Sequence, residues 1–446
     1  MPDIHPEWRI VDWLRTAADR RPDHPALVTS RRTVTYAELD RAADGVAAVV
    51  EAGVGATAVA VWGSSDPGTV AALWGIPRAG ADCVVLPTGI PAAEAMRLTR
   101  FAGARGLWGG GEGPDVDRLL AVDPPDRVVA GPPDPAAAYV LFTSGSTGSR
   151  RGVRLTGAHL AASADASARR LGTTEEDRWL GVLPLGHVGG LSILWRQARA
   201  AATVVLHDGF DAREAAAALA RDVSVASVVP TMLRRILDSR PGPYGGLRAV
   251  LVGGGPADAA LVADARAAGI PALQTYGMTE TASQICTEDP AGPGEPGTAG
   301  RPVPGAEVRI AGDRIEVRGP MVFDGYLGEP SREPGTWFRT GDRGEIDEDG
   351  RLRVLGRADR VVVSGGENVS ATAVERALLG LPGVEAARVS GVEDPEWGSA
   401  VVAWVVAPGA DADALRYYLL SVLEPAVVPM RIEVVGELRA SWNDAG

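Results

Sequence analysis

Hydrophobic positions along the chain recur at spacings that predict alternating strands and helices. Apolar runs at 58–62 and 83–87 are typical of buried strands, and the segment between them, near 69–79, has the apolar spacing of a helix. The alternation resumes further along the chain. It predicts helices near 158–171, 190–200, 212–221 and 231–239, and strands near 179–183, 203–207, 224–229 and 249–252. A parallel sheet with crossover helices accounts for this order.

The pattern changes near residue 300. From there to residue 355, short alternating segments are separated by turn dipeptides, which predicts an antiparallel sheet or a small barrel. After Arg357 the pattern predicts helices at 371–379 and 411–423 and strands at 385–392, 399–406 and near 431–435. The expected fold class is α/β. It has a large N-terminal domain (1–357) of parallel-sheet layers with a small antiparallel barrel-like part, then a small mobile α+β C-terminal domain (358–446).

Composition limits the setting of the protein. At 446 residues and 46% hydrophobic, the chain is long enough for two globular domains. The net charge of -13 is spread over interspersed acidic and basic residues, which argues against nucleic-acid and anionic-membrane partners. No apolar run is long enough to span a bilayer, and Cys83 and Cys286 fit no metal or disulfide spacing. We expect a cytoplasmic protein; its oligomeric state stays open, with a homodimer among the alternatives.

The chain contains no lysine, so all 44 basic residues are arginines. Chemistry that proteins often assign to a lysine ammonium must here use arginine or a group outside the chain.

A loop of small hydroxyl-bearing residues follows the apolar strand 139–142. It consists of Thr143-Ser144-Gly145-Ser146-Thr147-Gly148, and Arg150, Arg151 and Arg154 come shortly after it. Such a loop can surround an oxyanion with N–H groups and hydroxyls. No Gly-Lys-Ser/Thr follows at the spacing of a Walker-type loop. Taken alone, the loop is equally explained as a turn between two strands.

Four later stretches give the loop its context. They are Val252-Gly253-Gly254-Gly255-Pro256, Tyr276-Gly277-Met278-Thr279-Glu280-Thr281, Arg339-Thr340-Gly341-Asp342, and 355–360 running into 364–368. In this order, and over nearly the full length, the five stretches resemble the acyl-adenylate-forming (AMP-binding) superfamily, which includes acyl-CoA synthetases, nonribosomal adenylation domains and luciferases. Within it, stretches 183–196, 204–207, 229–233 and 276–284 resemble the o-succinylbenzoate-CoA ligases of menaquinone biosynthesis.

The resemblance implies two half-reactions. A carboxylate attacks the α-phosphate of ATP to give an acyl-adenylate and pyrophosphate, and the thiol of coenzyme A then displaces AMP. Because two anions meet in the first step, cations and oriented donors must neutralise the charge that builds on the phosphate.

The resemblance also implies residues for ATP and Mg²⁺. Glu280 would ligate Mg²⁺, Thr279 would bond to the α-phosphate, and Arg151 stands where the family usually has a lysine, after Arg150 in place of a proline. The remaining nucleotide contacts would be Thr143, Ser144, Gly145, Ser146, Thr147 and Gly148 around the β- and γ-phosphates, Gly253, Gly254 and Gly255 leaving room for adenine, Tyr276 on the adenine face, Asp342 on the ribose hydroxyls, and Arg357 near ribose or phosphate.

Further residues are implied for the acid substrate and for domain movement. His187 and Gly277 would line the acyl pocket, and Arg196 is the candidate for the second carboxylate of o-succinylbenzoate, which is a dianion. Asp359 would be the hinge on which the small domain turns between half-reactions. Plainer alternatives remain: a core histidine for His187, a core aromatic for Tyr276, a cap for Asp359 and a solvated cation for Arg196.

One departure from the family concerns its C-terminal Gly-Lys, whose ammonium reaches the reacting groups during adenylation. Here the chain runs from Leu438 through Arg439 to Gly446 without a lysine. Either the chain ends just short of that lysine, or the lysine is naturally absent and an arginine such as Arg439 replaces it.

The expected function is ATP-dependent ligation of o-succinylbenzoate to coenzyme A. The alternatives are another acid-activating ligase of secondary metabolism and a degenerate nucleotide-binding paralogue.

Overall fold

The computed structural model describes residues 10–53, 58–104, 107–108, 138–143, 150–239, 242–255, 259–292, 294–295, 297–358, 360–364, 367–394, 398–423 and 427–438. Within these ranges the α/β class expected from the sequence is confirmed. No helix in the described part of the chain is long and apolar enough to cross a lipid bilayer.

The first half of the chain alternates strands and helices. Its strands are β1 (Pro25–Val28), β2 (Thr33–Thr35), β3 (Ala58–Trp62), β4 (Asp82–Leu86), β5 (Leu107–Trp108), β6 (Ala138–Thr143), β7 (Arg151–Thr156), β8 (Arg178–Gly181), β9 (Thr203–Leu206) and β10 (Val225–Val228). Its helices are α1 (Ile10–Arg20), α2 (Tyr36–Gly53), α3 (Pro67–Arg78), α4 (Ala92–Phe101), α5 (Gly157–Leu171), α6 (Val188–Ala200), α7 (Ala212–Arg221) and α8 (Pro230–Asp238). Local chemistry sets such boundaries: Asp66 caps α3 by accepting from Thr69 N at 2.9 Å, and Pro67 occupies the first turn.

The second half begins with the same alternation and then becomes mostly β. Its strands are β11 (Ala249–Val252), β12 (Ala272–Met278), β13 (Ser283–Thr287), β14 (Arg301–Pro302), β15 (Glu307–Ala311), β16 (Arg314–Arg318), β17 (Phe338–Ile346), β18 (Leu352–Arg357), β19 (Val361–Ser364), β20 (Glu367–Ser370), β21 (Ala386–Asp394), β22 (Gly398–Val406) and β23 (Arg431–Val434). Its helices are α9 (Ala259–Ala267), α10 (Ala371–Leu379) and α11 (Ala412–Val422), with a single 3-10 turn at Thr279–Thr281.

Two large mixed sheets carry the N-terminal part. A five-stranded sheet has the order β5-β3-β4-β6-β7, and a nine-stranded sheet has the order β14-β13-β12-β11-β10-β8-β9-β1-β2. The central strands of both sheets are parallel, whereas β2, β7, β13 and β14 pair antiparallel with their neighbours. Parallel central strands point their carboxyl ends to the same edge, which is where such sheets bind ligands.

One hydrophobic core joins the two sheets. It contains Val61 and Tyr139 from the first sheet, Trp179 from the second, and Leu73 and Trp195 from helices α3 and α6. Each of these side chains is at most 1% exposed. The two sheets and the helices between them therefore pack as one unit.

The C-terminal part is organised differently. Strands β15 to β18 form a four-stranded antiparallel sheet, as the alternating pattern after residue 300 predicts. Beyond it, β21, β22 and β23 form a three-stranded sheet that packs with α10 and α11 around a separate core. That core draws only on residues between Val362 and Ile432.

Several elements escaped the pattern analysis. Helices α4 and α9 and strands β1, β13, β19 and β20 are among the elements that were not predicted. Each of them is short, and its apolar residues follow no clear helical or alternating spacing. The other predicted helices and strands that lie in described residues are present, with boundaries shifted by a few residues. The predicted surface loop at 109–135 lies outside the described residues.

Candidate functional site

A cavity of about 1630 Å³ lies where strands of the nine-stranded sheet end, between that sheet and the β15–β18 sheet. Single small-molecule sites usually occupy roughly 300–1,000 Å³, so this cavity has room for two substrates side by side. It brings together all of the predicted site residues that the structure describes: Thr143, Arg151, His187, Arg196, Gly253, Gly254, Gly255, Tyr276, Gly277, Thr279, Glu280, Asp342 and Arg357.

Thr143 and Arg151 line the cavity at the two ends of the loop that is predicted to bind phosphate. Thr143 is the last residue of β6 and Arg151 the first of β7, and the two residues pair across these strands. The Arg151 guanidinium lies 3.3 Å from the ring centroid of Tyr326 and 2.8 Å from Glu329 Oε1. Ser144, Gly145, Ser146, Thr147 and Gly148 lie outside the described residues, so their predicted phosphate contacts stay predictions.

Glu280 is the buried carboxylate of the cavity. It lies in the 3-10 turn directly after β12, beside Thr279, and is 8% exposed. Tyr326 donates a hydrogen bond from its hydroxyl to Glu280 Oε1 at 2.7 Å, and no arginine in the described part of the chain pairs with this carboxylate. Burial and the neighbouring Glu280 raise the pKa of Tyr326 above its ordinary value, which keeps the phenol a neutral donor.

The donor set at Glu280 fits Mg²⁺ held with the help of a substrate. Within the described residues there is no cluster of three or more His, Cys, Asp or Glu side chains that could enclose a metal alone. Mg²⁺ in nucleotide enzymes is commonly held by one or two carboxylates, water and substrate phosphates. A single buried carboxylate that no arginine neutralises suits that role.

Three side chains form a second polar group at the other end of the cavity. Tyr276 donates from its hydroxyl to Asp342 Oδ2 at 2.6 Å, and Arg357 Nη1 lies 3.8 Å from Asp342 Oδ1. Asp342 and Arg357 face each other across β17 and β18. Burial and Asp342 raise the pKa of Tyr276 well above its ordinary value, so the phenol stays neutral. Tyr276, predicted to contact adenine, and Asp342, predicted to contact ribose, are therefore linked by a direct hydrogen bond.

Glycines at the strand ends allow close packing beneath this group. A Cβ on Gly277 would lie 1.9 Å from the carbonyl oxygen of Ser283, and one on Gly253 would lie 2.7 Å from Thr275 Cγ2. Gly254 has a φ of 75°, in the left-handed region that favours glycine. Glycine at 277 therefore lets β13 fold back tightly against β12.

Arg196 is a buried cation in the wall of the cavity. It lies on α6, is 5% exposed, and donates from Nη2 to Ser283 Oγ at 3.1 Å. Its Nε has no hydrogen-bond partner, and among the described residues no acidic side chain pairs with it. Burial lowers the pKa of Arg196 to about 9. The side chain remains positive at neutral pH and lacks a counter-charge, which suits an anionic ligand.

His187 stands at the start of α6 on the cavity surface. The ring itself is exposed, yet desolvation by the surrounding protein and the positive charge of Arg150 lower the pKa of His187. The imidazole is therefore neutral at pH 7 and can donate or accept a hydrogen bond. The predicted hinge residue, Asp359, lies outside the described residues.

Sequence analysis missed three residues of the site. Ser283, Tyr326 and Glu329 contact the predicted residues Arg196, Glu280 and Arg151. Tyr326 and Glu329 lie in none of the stretches that carry the family resemblance. Ser283 lies within stretch 276–284, but the sequence assigned it no role. Its φ of 102°, unusual for a serine, depends on the tertiary fold.

Comparison with known proteins agrees with this geometry. A family model described as AMP-binding enzyme matches residues 14–327, and a second, described as AMP-binding enzyme C-terminal domain, matches residues 373–442. The chain is 34% identical over 426 residues to a 2-succinylbenzoate–CoA ligase of Bacillus subtilis (strain 168), covering 89% of this chain and 87% of that relative.

Solved structures are similar over almost the whole chain. The o-succinylbenzoate CoA synthetase (MenE) from Bacillus subtilis in complex with the acyl-adenylate intermediate OSB-AMP has a TM-score of 0.88 and 32% identity, covering 97% of this chain and 96% of that one. The same protein in complex with ATP and magnesium ion has a TM-score of 0.86 and 32% identity, covering 96% of each chain. By both family models and these likenesses, the chain belongs to the AMP-binding enzyme family.

Proposed function

We propose that this protein is an AMP-forming acid–CoA ligase of the menaquinone pathway. It activates o-succinylbenzoate with ATP as an acyl-adenylate and then transfers the acyl group to coenzyme A. The observation that carries the choice of acid is Arg196, a buried arginine without an acidic partner in the described chain, in the same cavity as the residues assigned to ATP. The names of the relatives and of the solved complexes support the same substrate.

For the nucleotide, we assign each role from the position of the residue in the cavity. Asp342 is a buried carboxylate of the cavity wall that accepts from Tyr276, and we assign it to the ribose hydroxyls. Arg151 and Thr143 stand at the ends of the loop assigned to the β- and γ-phosphates, and Thr279 lies next to Glu280 for the α-phosphate. When bound to Glu280, Mg²⁺ would supply positive charge to the phosphates.

For the acid, Arg196 and Ser283 form a polar end to a mainly apolar wall. We assign the second carboxylate of o-succinylbenzoate to Arg196, because an anion there would give the buried guanidinium its missing counter-charge. His187, neutral at pH 7, and Gly277 line the cavity nearer to the reacting carboxylate. A monoacid without the second carboxylate would leave Arg196 buried and unpaired, which selects against it.

For the second half-reaction, we assign Asp359 as the hinge and place the domain boundary between 357 and 358. The separate core that lies between Val362 and Ile432 supports this division. Its contacts with the rest of the chain include Arg376 Nη2 to Val354 O at 3.1 Å and Arg234 Nη2 to Leu379 O at 3.2 Å. Polar contacts of this kind can be exchanged when a domain turns.

The setting of the enzyme is a further part of the proposal. Its substrates, ATP and coenzyme A, favour the cytoplasm. A homodimer remains a hypothesis that light scattering of the purified protein would decide.

The function is tested by ATP–pyrophosphate exchange with o-succinylbenzoate, followed by thioester formation when coenzyme A is added. We expect exchange that depends on o-succinylbenzoate and is weak with benzoate, which lacks the second carboxylate. A matched protein with a lysine added after Gly446 measures how far arginine alone supports adenylation. If neither protein shows exchange with o-succinylbenzoate, the substrate assignment is wrong. Tight ATP binding without any acyl-adenylate would instead favour a nucleotide-binding paralogue.

A further inference from the structure

Tyr326 contacts both charged groups that face the predicted triphosphate. Its hydroxyl donates to Glu280 Oε1 at 2.7 Å, and the Arg151 guanidinium lies 3.3 Å from the centroid of its ring. The side chain is half-buried in the cavity wall. One side chain thus links a carboxylate on the β12 side of the cavity to an arginine on β7.

The backbone holds Tyr326 firmly between these two elements. Phe323 N donates to the Glu280 carbonyl at 2.9 Å, and Leu327 N donates to the Gly152 carbonyl at 2.8 Å. Tyr326 itself forms an antiparallel bridge with Val153 of β7. The ring of Phe323 packs edge-on against it, with centroids 4.8 Å apart. The position of the phenol is therefore set by main-chain bonds on both sides.

The hydrogen bond from Tyr326 fixes the orientation of the Glu280 carboxylate. A carboxylate has two oxygens and can accept about four hydrogen bonds, so a single donor on Oε1 restricts its rotation and leaves Oε2 available. A phenol is a neutral donor, and unlike an arginine it does not cancel the negative charge that a cation needs. Hydrogen bonds of this kind orient metal-binding carboxylates, and their loss typically weakens metal binding about 10- to 100-fold.

The contact with Arg151 is of another kind. The Arg151 guanidinium stacks on the face of the Tyr326 ring and pairs with Glu329, and the Arg151 side chain is still 43% exposed. Arg151 also lines the cavity. Stacking of this kind fixes the plane of the guanidinium without using its N–H donors. The hydroxyl and the ring of Tyr326 therefore act on different partners and can be removed separately.

We propose that Tyr326 is a positioning residue for the first half-reaction, orienting Glu280 for the magnesium ion of MgATP through its hydroxyl and Arg151 for the phosphates through its ring. This inference rests on the proposed function for the identity of the nucleotide but not for that of the acid. Among the described residues, Tyr326 contacts neither Arg196, which we assign to the acid, nor Asp342, which we assign to ribose.

The test compares Tyr326→Phe with Tyr139→Phe. Both changes remove one tyrosine hydroxyl that makes a 2.7 Å hydrogen bond, but Tyr139 donates to the Leu73 carbonyl in the core. Binding of Mn²⁺, as a stand-in for Mg²⁺, to the protein–ATP complex is measured by electron paramagnetic resonance, which requires no turnover. We expect Mn²⁺ to bind about tenfold more weakly in Tyr326→Phe and within about twofold of wild type in Tyr139→Phe.

Two further measurements separate positioning from a structural effect. In a Glu280→Ala background, Tyr326→Phe should cause no additional loss of Mn²⁺ binding, because the carboxylate that accepts from the Tyr326 hydroxyl has already been removed. Tyr326→Leu, which also removes the ring, should weaken binding of ATP without metal, whereas Tyr326→Phe should not. With chemically prepared acyl-adenylate, transfer to coenzyme A should change less than twofold in Tyr326→Phe.

The inference is overturned if Tyr326→Phe binds Mn²⁺ as tightly as wild type, or if it slows both half-reactions equally. Failure of o-succinylbenzoate to support exchange in wild type would leave the Mn²⁺ comparison intact. That result would refute the substrate assignment and not the role of Tyr326.

Discussion

At the scale of single residues, the site is defined by charges that the fold buries without neutralising. Arg196 is 5% exposed and pairs with Ser283 rather than with a carboxylate among the described residues. A buried ion without a partner reduces stability, because desolvation is not offset by attraction. Proteins can keep such a loss of stability at a binding site, because the ligand supplies the missing charge when it binds.

Replacing Arg196 with glutamine should separate binding of the acid from binding of ATP. We expect KM for o-succinylbenzoate to rise about 10- to 100-fold, since hydrogen bonds to a charged group contribute roughly 1.5–3 kcal/mol. KM for ATP should stay within about twofold, and the melting temperature should not fall, because the variant no longer buries an unpaired charge. Steady-state kinetics and thermal unfolding provide both values.

The matched control is Arg199→Gln on the same helix, where the guanidinium pairs with Asp165 at 2.7 Å. It should leave KM for the acid unchanged. An unchanged KM for the acid in Arg196→Gln would remove Arg196 from the substrate site.

At the scale of elements, the β12–β13 pair shapes the part of the cavity that contains Arg196. The register of the pair shifts between Tyr276 and Gly277, and β13 begins at Ser283 with a φ of 102°. Thr281 Oγ1 donates to the Ser283 carbonyl at 2.7 Å, which holds this backbone in place. The irregular pairing turns the Ser283 hydroxyl toward Arg196, so a backbone feature determines a side-chain contact.

A Gly277→Ala change should disturb both stability and acid binding. Its Cβ would lie 1.9 Å from the Ser283 carbonyl oxygen, so the two strands must separate. We expect a loss of about 1–3 kcal/mol in the free energy of unfolding, typical of overpacking, together with a higher KM for o-succinylbenzoate.

Gly245→Ala is the comparison, because a Cβ there meets no atom within 4 Å. Chemical denaturation should place this control within about 0.5 kcal/mol of wild type. Equal stability of Gly277→Ala and wild type would show that the two strands are free to move apart.

At the scale of the whole molecule, stability depends on buried ion pairs that join distant segments of the large core. Asp177, 3% exposed, accepts from Thr174 N at 2.8 Å, Ser224 Oγ at 2.6 Å and Arg248 Nε at 2.8 Å. Burial by itself would raise the pKa of Asp177, but the hydrogen bonds from Arg248, Ser224 and Thr174 outweigh it and lower the pKa below its ordinary value. These hydrogen bonds connect the segment after α5 with the residues that directly precede β8, β10 and β11.

The ion pair of Asp177 should make stability depend on pH in one direction. Because the folded pKa lies below the unfolded value of about 4, the stabilisation is complete above that pH and is lost as pH falls through the folded pKa. Asp177→Asn should therefore lower the free energy of unfolding by about 2 kcal/mol at pH 7, and the difference from wild type should shrink below about pH 4.

Urea unfolding at several pH values measures this difference. The exposed Asp208, changed to asparagine, controls for loss of a negative charge and should show a small difference at every pH. A deficit in Asp177→Asn that stays constant down to pH 3 would contradict an ionic origin.

Much of the fold could be predicted from the local sequence, because each helix or strand buries one face and the spacing of its apolar residues shows which type of element it is. Helices α5, α6 and α7 and strands β9 and β11 lie within a few residues of their predicted positions. Where the apolar signal is short or broken by charge, as in α4, the pattern does not predict the element. Much of the candidate site was also predicted, since the resemblance rests on residues close together in the chain, such as Thr279 and Glu280.

The sequence by itself determined the order of the elements, the glycine- and hydroxyl-rich segments, and the absence of lysine among 44 basic residues. The tertiary structure alone decided which charges are neutralised. Arg154 pairs with Asp82. Arg196 has no acidic partner among the described residues and donates to the hydroxyl of Ser283, 87 positions away. Glu280 accepts a hydrogen bond from Tyr326, 46 positions away. The physical reason is that local spacing governs which face of an element is buried, while a buried charge finds its partner through sheet order and crossover connections that join distant segments.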